Sequence, residues 1–142
     1  MSRDYKFIDH TADIAVELKG RTLEEMFVAG AEAWLVSIVE SKELKHDDNL
    51  KLDLSATSLE ELLVSFLNEL NFILINKKWL CLSVQFIKIY QEAESYRLST
   101  ELLGIKIKNN LQLKQEIKSV TYHQMEIVNK NNVYSTLVVF DI

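Results

Sequence analysis

Over residues 14–19 apolar and polar positions alternate, with Ile14, Val16 and Leu18 interleaved with Ala15, Glu17 and Lys19. A period of two predicts a half-buried strand, which Gly20 ends. Tyr5 to Ile8 predict a short strand before it. The period then changes. Leu23, Phe27, Ala31, Trp34, Leu35 and Ile38 recur at helical spacing behind Thr22-Leu23-Glu24-Glu25, a capping box in which Glu25 reaches back to the Thr22 N–H. Polar residues 40–49 read as a solvated loop, and Leu50, Leu52 and Leu54 mark a further strand. Ser58-Leu59-Glu60-Glu61 repeats the capping logic and opens a second helix, whose apolar face runs from Leu59 through Leu62, Leu63, Phe66, Leu67 and Leu70 to Ile73. Asn76-Lys77-Lys78 ends it.

Beyond residue 80 the period returns to two. Leu82, Val84 and Phe86 change phase to Ile87 and Ile89, which predicts a strand with an irregularity. A turn at Glu92-Ala93-Glu94-Ser95 pairs it in a hairpin with Tyr96 to Leu102, and Gly104 marks that strand's end or a close backbone approach. Residues 105–116 predict a loop with a short strand, residues 117–128 one long strand, and residues 133–140 the last strand after an asparagine-rich turn. The fold class is therefore α+β: a two-layer sandwich, with two main helices on one face of a mainly antiparallel sheet of six or seven strands. Residues 1–142 make a single domain.

Composition narrows the function. A net charge of −5 argues against nonspecific binding to a phosphate backbone. Cys81, the one cysteine, has no disulfide partner and stands among Trp79, Leu80 and Leu82, so it reads as packing in a reducing, cytoplasmic setting. No signal core opens the chain, and no apolar run approaches the ~18 residues of a membrane span. Phosphate-binding glycine loops, HExxH, paired CxxC and a nucleophile elbow are absent from the sequence.

What remains is a set of oxygen ligands. Asp13 stands at a strand mouth, while Asp141 and the carboxylate of Ile142 are consecutive at the other end of the chain. Such donors suit calcium, magnesium or manganese rather than zinc. His10 and His123 are possible supports, as orienting groups or as ligands to a softer metal. A short acidic motif at a strand edge also serves as a plain turn device, so the residues alone leave both readings open.

Five stretches taken in order resemble the archease family. They are Asp9-His10-Thr11-Ala12-Asp13-Ile14, the Thr22-Leu23-Glu24-Glu25 helix start, Leu62-Leu63-x-x-Phe66-Leu67-x-Glu69, Glu116-Ile117-Lys118-Ser119-Val120-Thr121-Tyr122-His123, and Phe140-Asp141-Ile142. The resemblance implies a small α/β protein that is not itself an enzyme. It would activate the tRNA-splicing RNA ligase, which is GTP- and manganese-dependent and joins 3′-phosphate or 2′,3′-cyclic-phosphate ends to 5′-hydroxyl ends. The activator would promote guanylylation of the ligase histidine and allow multiple turnover. RNA would be met only indirectly, through the ligase, and no membrane is involved. The resemblance also implies a divalent cation, calcium first and magnesium or manganese otherwise, on Asp13, Asp141 and Ile142, with Lys118 acting in activation of the partner. The chain departs from the family after Gly104: Ile105 replaces an acidic residue, and Asn109-Asn110-Leu111 stands where a Lys-His pair is usual. Two other classes fit the residues less well. One is a metal-dependent hydrolase using Asp13 with His10 or His123; the other is an RNA chaperone, which the acidic balance disfavours.

Overall fold

Both helices begin where a hydroxyl can accept an orphan N–H. In the computed structural model, which describes residues 3–8, 13–40, 44–108, 113–121 and 126–142, Thr22 accepts from Glu25 N–H at 3.0 Å and opens α1 (Leu23–Ile38). Glu25 Oε1 accepts from the Arg21 N–H, one residue upstream of the donor that the capping-box pattern predicts. Ser58 accepts from Glu61 N–H at 3.1 Å and opens α2 (Leu59–Lys77). Lys78 ends α2 in the left-handed region, with its N–H on the Ile73 and Leu74 carbonyls.

The strands are β1 (Asp4–Ile8), β2 (Asp13–Gly20), β3 (Asp48–Ala56), β4 (Trp79–Glu92), β5 (Ser95–Lys106), β6 (Ser119–Thr121), β7 (Val128–Lys130) and β8 (Val133–Asp141). All pairings are antiparallel. The expected α+β class is what the structure has. Its strands, however, divide between two sheets: one ordered β1-β2-β8-β6 with β7 also on β8, the other ordered β3-β5-β4. Each helix touches strands of both sheets, α1 on β2 and β4, α2 on β3, β4 and β6. One core of buried apolar residues joins them, including Leu18, Phe27, Trp34, Phe66, Leu80 and Phe140.

Several local expectations acquire a mechanism. The phase change in β4 is a pair of register shifts, between Cys81 and Ser83 and between Val84 and Phe86. Gly104 is a close approach: a Cβ there would lie 2.3 Å from the Leu80 carbonyl oxygen. Asn131 and Asn132 both take positive φ in the two-residue turn between β7 and β8, as a hairpin turn of the type I′ kind requires.

The long strand expected over residues 117–128 is not formed. Residues 116–118 and 126–127 lie outside regular structure, and among the described residues of that stretch only the short strands β6 and β7 are formed. The physical reason lies in α2. Asn71 donates to the Ile117 carbonyl at 2.6 Å, Asn68 bonds both backbone groups of Val120, and Glu60 accepts from the Ile127 N–H at 2.9 Å. Helix side chains take backbone bonds that a continuous neighbouring strand would otherwise have made. Among the described residues, no helix is long and apolar enough to cross a membrane.

Candidate functional site

β2 and β8 bring the two ends of the chain together. Their register sets Ile14 opposite Phe140, Val16 opposite Val138 and, at the end of the ladder, Asp13 opposite Asp141. Val16, Leu18, Val138 and Phe140 are fully buried toward the helices. Alternation then directs Asp13 and Asp141 to the outer face. β6 continues the row, since Ser119 is opposite Asp141 on its other side. Asp13, Asp141 and Ser119 thus form a line of oxygen-bearing side chains across three strands.

Directly opposed residues on one face of an antiparallel ladder have Cβ atoms about 4.5–5.5 Å apart, and like charges there repel. Two carboxylates so placed are an unfavourable pair unless something positive or protic lies between or beside them. Both are half-buried, which weakens screening by water. Ile142, next in the chain, packs its side chain against the core.

Lys118 is tied to the same row through its main chain, its N–H donating to the Asp141 carbonyl at 2.8 Å. It is exposed, and it lines a cleft along α2 with Asn68, Glu69, Phe72 and Asn76. Its backbone is held on both sides. Asn71 fixes the Ile117 carbonyl, while the Asn68 amide both accepts from the Val120 N–H at 2.8 Å and donates to its carbonyl at 3.0 Å. Asn71 is itself steadied by the Trp34 indole N–H, which donates to its Oδ1 at 3.2 Å. The position of Lys118 is therefore set by a buried polar chain reaching from α1 through α2.

Of the residues singled out in the sequence, the structure brings together Asp13, Asp141 and, through the main chain, Lys118. His10 and His123 lie outside the described residues. Among the described residues no group of three or more His, Cys, Asp or Glu side chains is placed to hold a metal ion. The Asp13–Asp141 pair brings two carboxylate side chains, hard oxygen donors, to one face of the sheet. The donor chemistry fits a hard divalent cation.

Sequence reasoning missed Ser119, Asn68 and Asn71. Asn71 carried a readable signal: it falls between Leu70 and Leu74 on the apolar stripe of α2 and is only 4% exposed. A buried amide must find partners, so its place in that stripe pointed to a backbone segment packed on the helix.

The profile of the Archease protein family (MTH1598/TM1083) matches residues 5–142. The chain is 33% identical over 141 residues to protein archease of Methanosarcina barkeri, covering 99% of this chain and 97% of that one. It is 34% identical over 126 residues to protein archease of Pyrococcus furiosus, covering 88% of each. Among solved structures, it superposes on protein 1598 of Methanobacterium thermoautotrophicum with a TM-score of 0.83 at 26% identity, covering 97% of this chain and 98% of that one. A Thermotoga maritima structure, described as an archease and possible chaperone, matches with a TM-score of 0.62 at 26% identity over 96% of each chain.

Proposed function

This chain belongs to the archease family, and from that premise we propose that it is a non-enzymatic activator of the tRNA-splicing RNA ligase. It promotes GTP-dependent guanylylation of the ligase histidine. The observation that carries the reading is the Asp13–Asp141 pair. Acidic groups from the chain's two ends share one row of the outer sheet face, where a partner can reach them.

Asp13, Asp141 and the carboxylate of Ile142 would hold a divalent cation, calcium first and magnesium or manganese otherwise. When bound, such an ion supplies positive charge that can face phosphate oxygens or organise metal in the partner's site. The chain's own residues do the positioning. β2 and β8 fix the two carboxylates by backbone pairing rather than by loop contacts. Lys118, exposed and anchored through its neighbours, presents a compact cation suited to phosphate charge. The possible-chaperone description of the Thermotoga maritima structure agrees with the coarser part of this reading, a protein that acts on another protein.

The test is reconstitution of purified ligase, GTP and manganese with and without this chain. Guanylylation should rise only when both proteins are present, and Asp13→Ala or Asp141→Ala should reduce the stimulation on the order of a hundredfold. A tag fused after Ile142 should impair it too. Calcium should raise the melting temperature of the wild-type chain and leave that of Asp13→Ala unchanged. Full stimulation by both alanine variants would refute the mechanism. Hydrolysis of a phosphoester by this chain alone would instead mark it as an enzyme.

A further inference from the structure

A second feature of α2 has no role in the fold or in the acidic row. Toward its C-terminus the helix exposes two large apolar side chains one turn apart, Phe72 at 53% and Ile75 at 42%. Ile75 forms the ridge between two clefts. One is the cleft that Lys118 lines. The other, about 740 Å³, has an apolar floor that includes Leu74, Ile107 and Ile117, and its rim carries Lys78, Lys108 and Lys114 against a single carboxylate, Glu116.

The charge of this rim runs against that of the molecule. In a chain of net charge −5, three exposed lysines from two separate segments converge on one cleft. Among the described residues none of the three has an ion-pair partner. The dipole of α2 favours a cation at Lys78, at the helix C-terminus. It gives no reason for Lys108 and Lys114, which arrive on the segment after β5. Lys78 also occupies a left-handed position, φ 54°, where glycine costs least. The rim is preset by backbone bonds: the Lys78 carbonyl accepts from the Ile107 N–H at 2.7 Å, and the Lys114 N–H donates to the Ile38 carbonyl at 2.8 Å.

We propose that this lysine-rimmed apolar cleft, with the Phe72–Ile75 ridge, is the surface on which the partner protein docks, and that its occupant is an acidic amphipathic segment of that protein. The proposal rests on the activator reading for the identity of the partner. An aliphatic floor matches apolar side chains, and unpaired lysines match carboxylates at the edge of the same segment. A nucleic acid strand would instead need a run of aromatic stacking platforms, and among the described residues lining the two clefts Phe72 is the only aromatic. The cleft shares Ile75 and Asn71 with the one lined by Lys118, so docking here would leave Lys118 at the margin of the interface.

The experiment measures the dissociation constant of purified ligase for the wild-type chain, for Lys78→Glu/Lys108→Glu/Lys114→Glu, and for Ile75→Ser. Guanylylation is measured in parallel, and circular dichroism confirms that each variant is folded. The triple variant should bind tenfold or more weakly at low salt, and Ile75→Ser severalfold more weakly. Stimulation by either should recover at saturating activator. Asp13→Ala should stay about a hundredfold down in stimulation even at saturating activator. Unchanged ligase affinity in the triple and Ile75 variants overturns the docking surface and leaves the activator reading standing. Cleft-dependent binding without stimulation by the wild-type chain supports the surface and overturns the activator reading. Loss of RNA binding in the triple variant, with ligase binding intact, overturns the surface in favour of a nucleic acid.

Discussion

At Cys81 burial sets the chemistry. The thiol is 4% exposed, its Sγ lies 3.5 Å from the Ser83 carbonyl, and desolvation pushes its pKa up to about 12. In the unfolded chain a cysteine ionises near 8.5. Because the folded value is raised, the stabilisation is fully present below about pH 8.5 and is lost as the pH rises toward 12, at about 1.4 kcal/mol per pH unit. The sign follows from proton counting: between those values the folded state keeps a proton that the unfolded state has released. Urea denaturation of wild type and Cys81→Ala should therefore show a stability gap about 2 kcal/mol smaller at pH 10 than at pH 7. An equal gap at both pH values would mean that the thiol is not buried as described. The expectation that Cys81 is packing rather than chemistry was legible because Trp79, Leu80 and Leu82 surround it in sequence. Nothing comparable flagged Ser119, since a serine on a short strand has no pattern of its own.

Among the elements, β6 depends on a helix side chain in place of a neighbouring strand. Val120 is 3% exposed, and the Asn68 amide satisfies both of its outward backbone groups, sealing an edge that would otherwise be open. Asn68→Ala should cost roughly 2 kcal/mol, because two part-buried backbone groups lose their partners, each near the lower end of about 1–3 kcal/mol. Amide exchange at Val120 should accelerate while exchange at Leu18, inside the β1-β2-β8 ladder, stays slow. Retained protection at Val120 would show that β8 alone holds β6. This dependence also explains what was readable. Both helices announced themselves through a capping hydroxyl and a 3.6-residue period, which are local signals. The division of the strands between two sheets did not, because a period of two is the same in either sheet. Residues 117–128 were misread as one strand because their apolar spacing does not disclose that α2 supplies several of their backbone bonds.

For the molecule as a whole, the last strand is central. β8 lies between β2 on one side and β6 and β7 on the other, so the five-stranded sheet closes only when the C-terminal residues arrive. Pairing Asp13 with Asp141 joins positions separated by almost the full chain, and such contacts are formed late and against a large loop-closure entropy. A chain ending at Asn132 should therefore show no cooperative thermal transition, having lost Val138 and Phe140 from the core together with the strand on which β6 and β7 pair. A chain ending at Phe140 is the informative comparison. It keeps both core residues and most of the ladder, and it loses Asp141, its carbonyl contact to Lys118 and the packing of Ile142. It should melt cooperatively, a few degrees lower, and fail to stimulate guanylylation while still binding the ligase through the α2 cleft. Cooperative melting of the chain ending at Asn132 would show that β8 is dispensable for the fold. Full stimulation by the chain ending at Phe140 would remove the acidic row from the mechanism. The two truncations separate what the C-terminal strand does for the fold from what its last residues do for the partner.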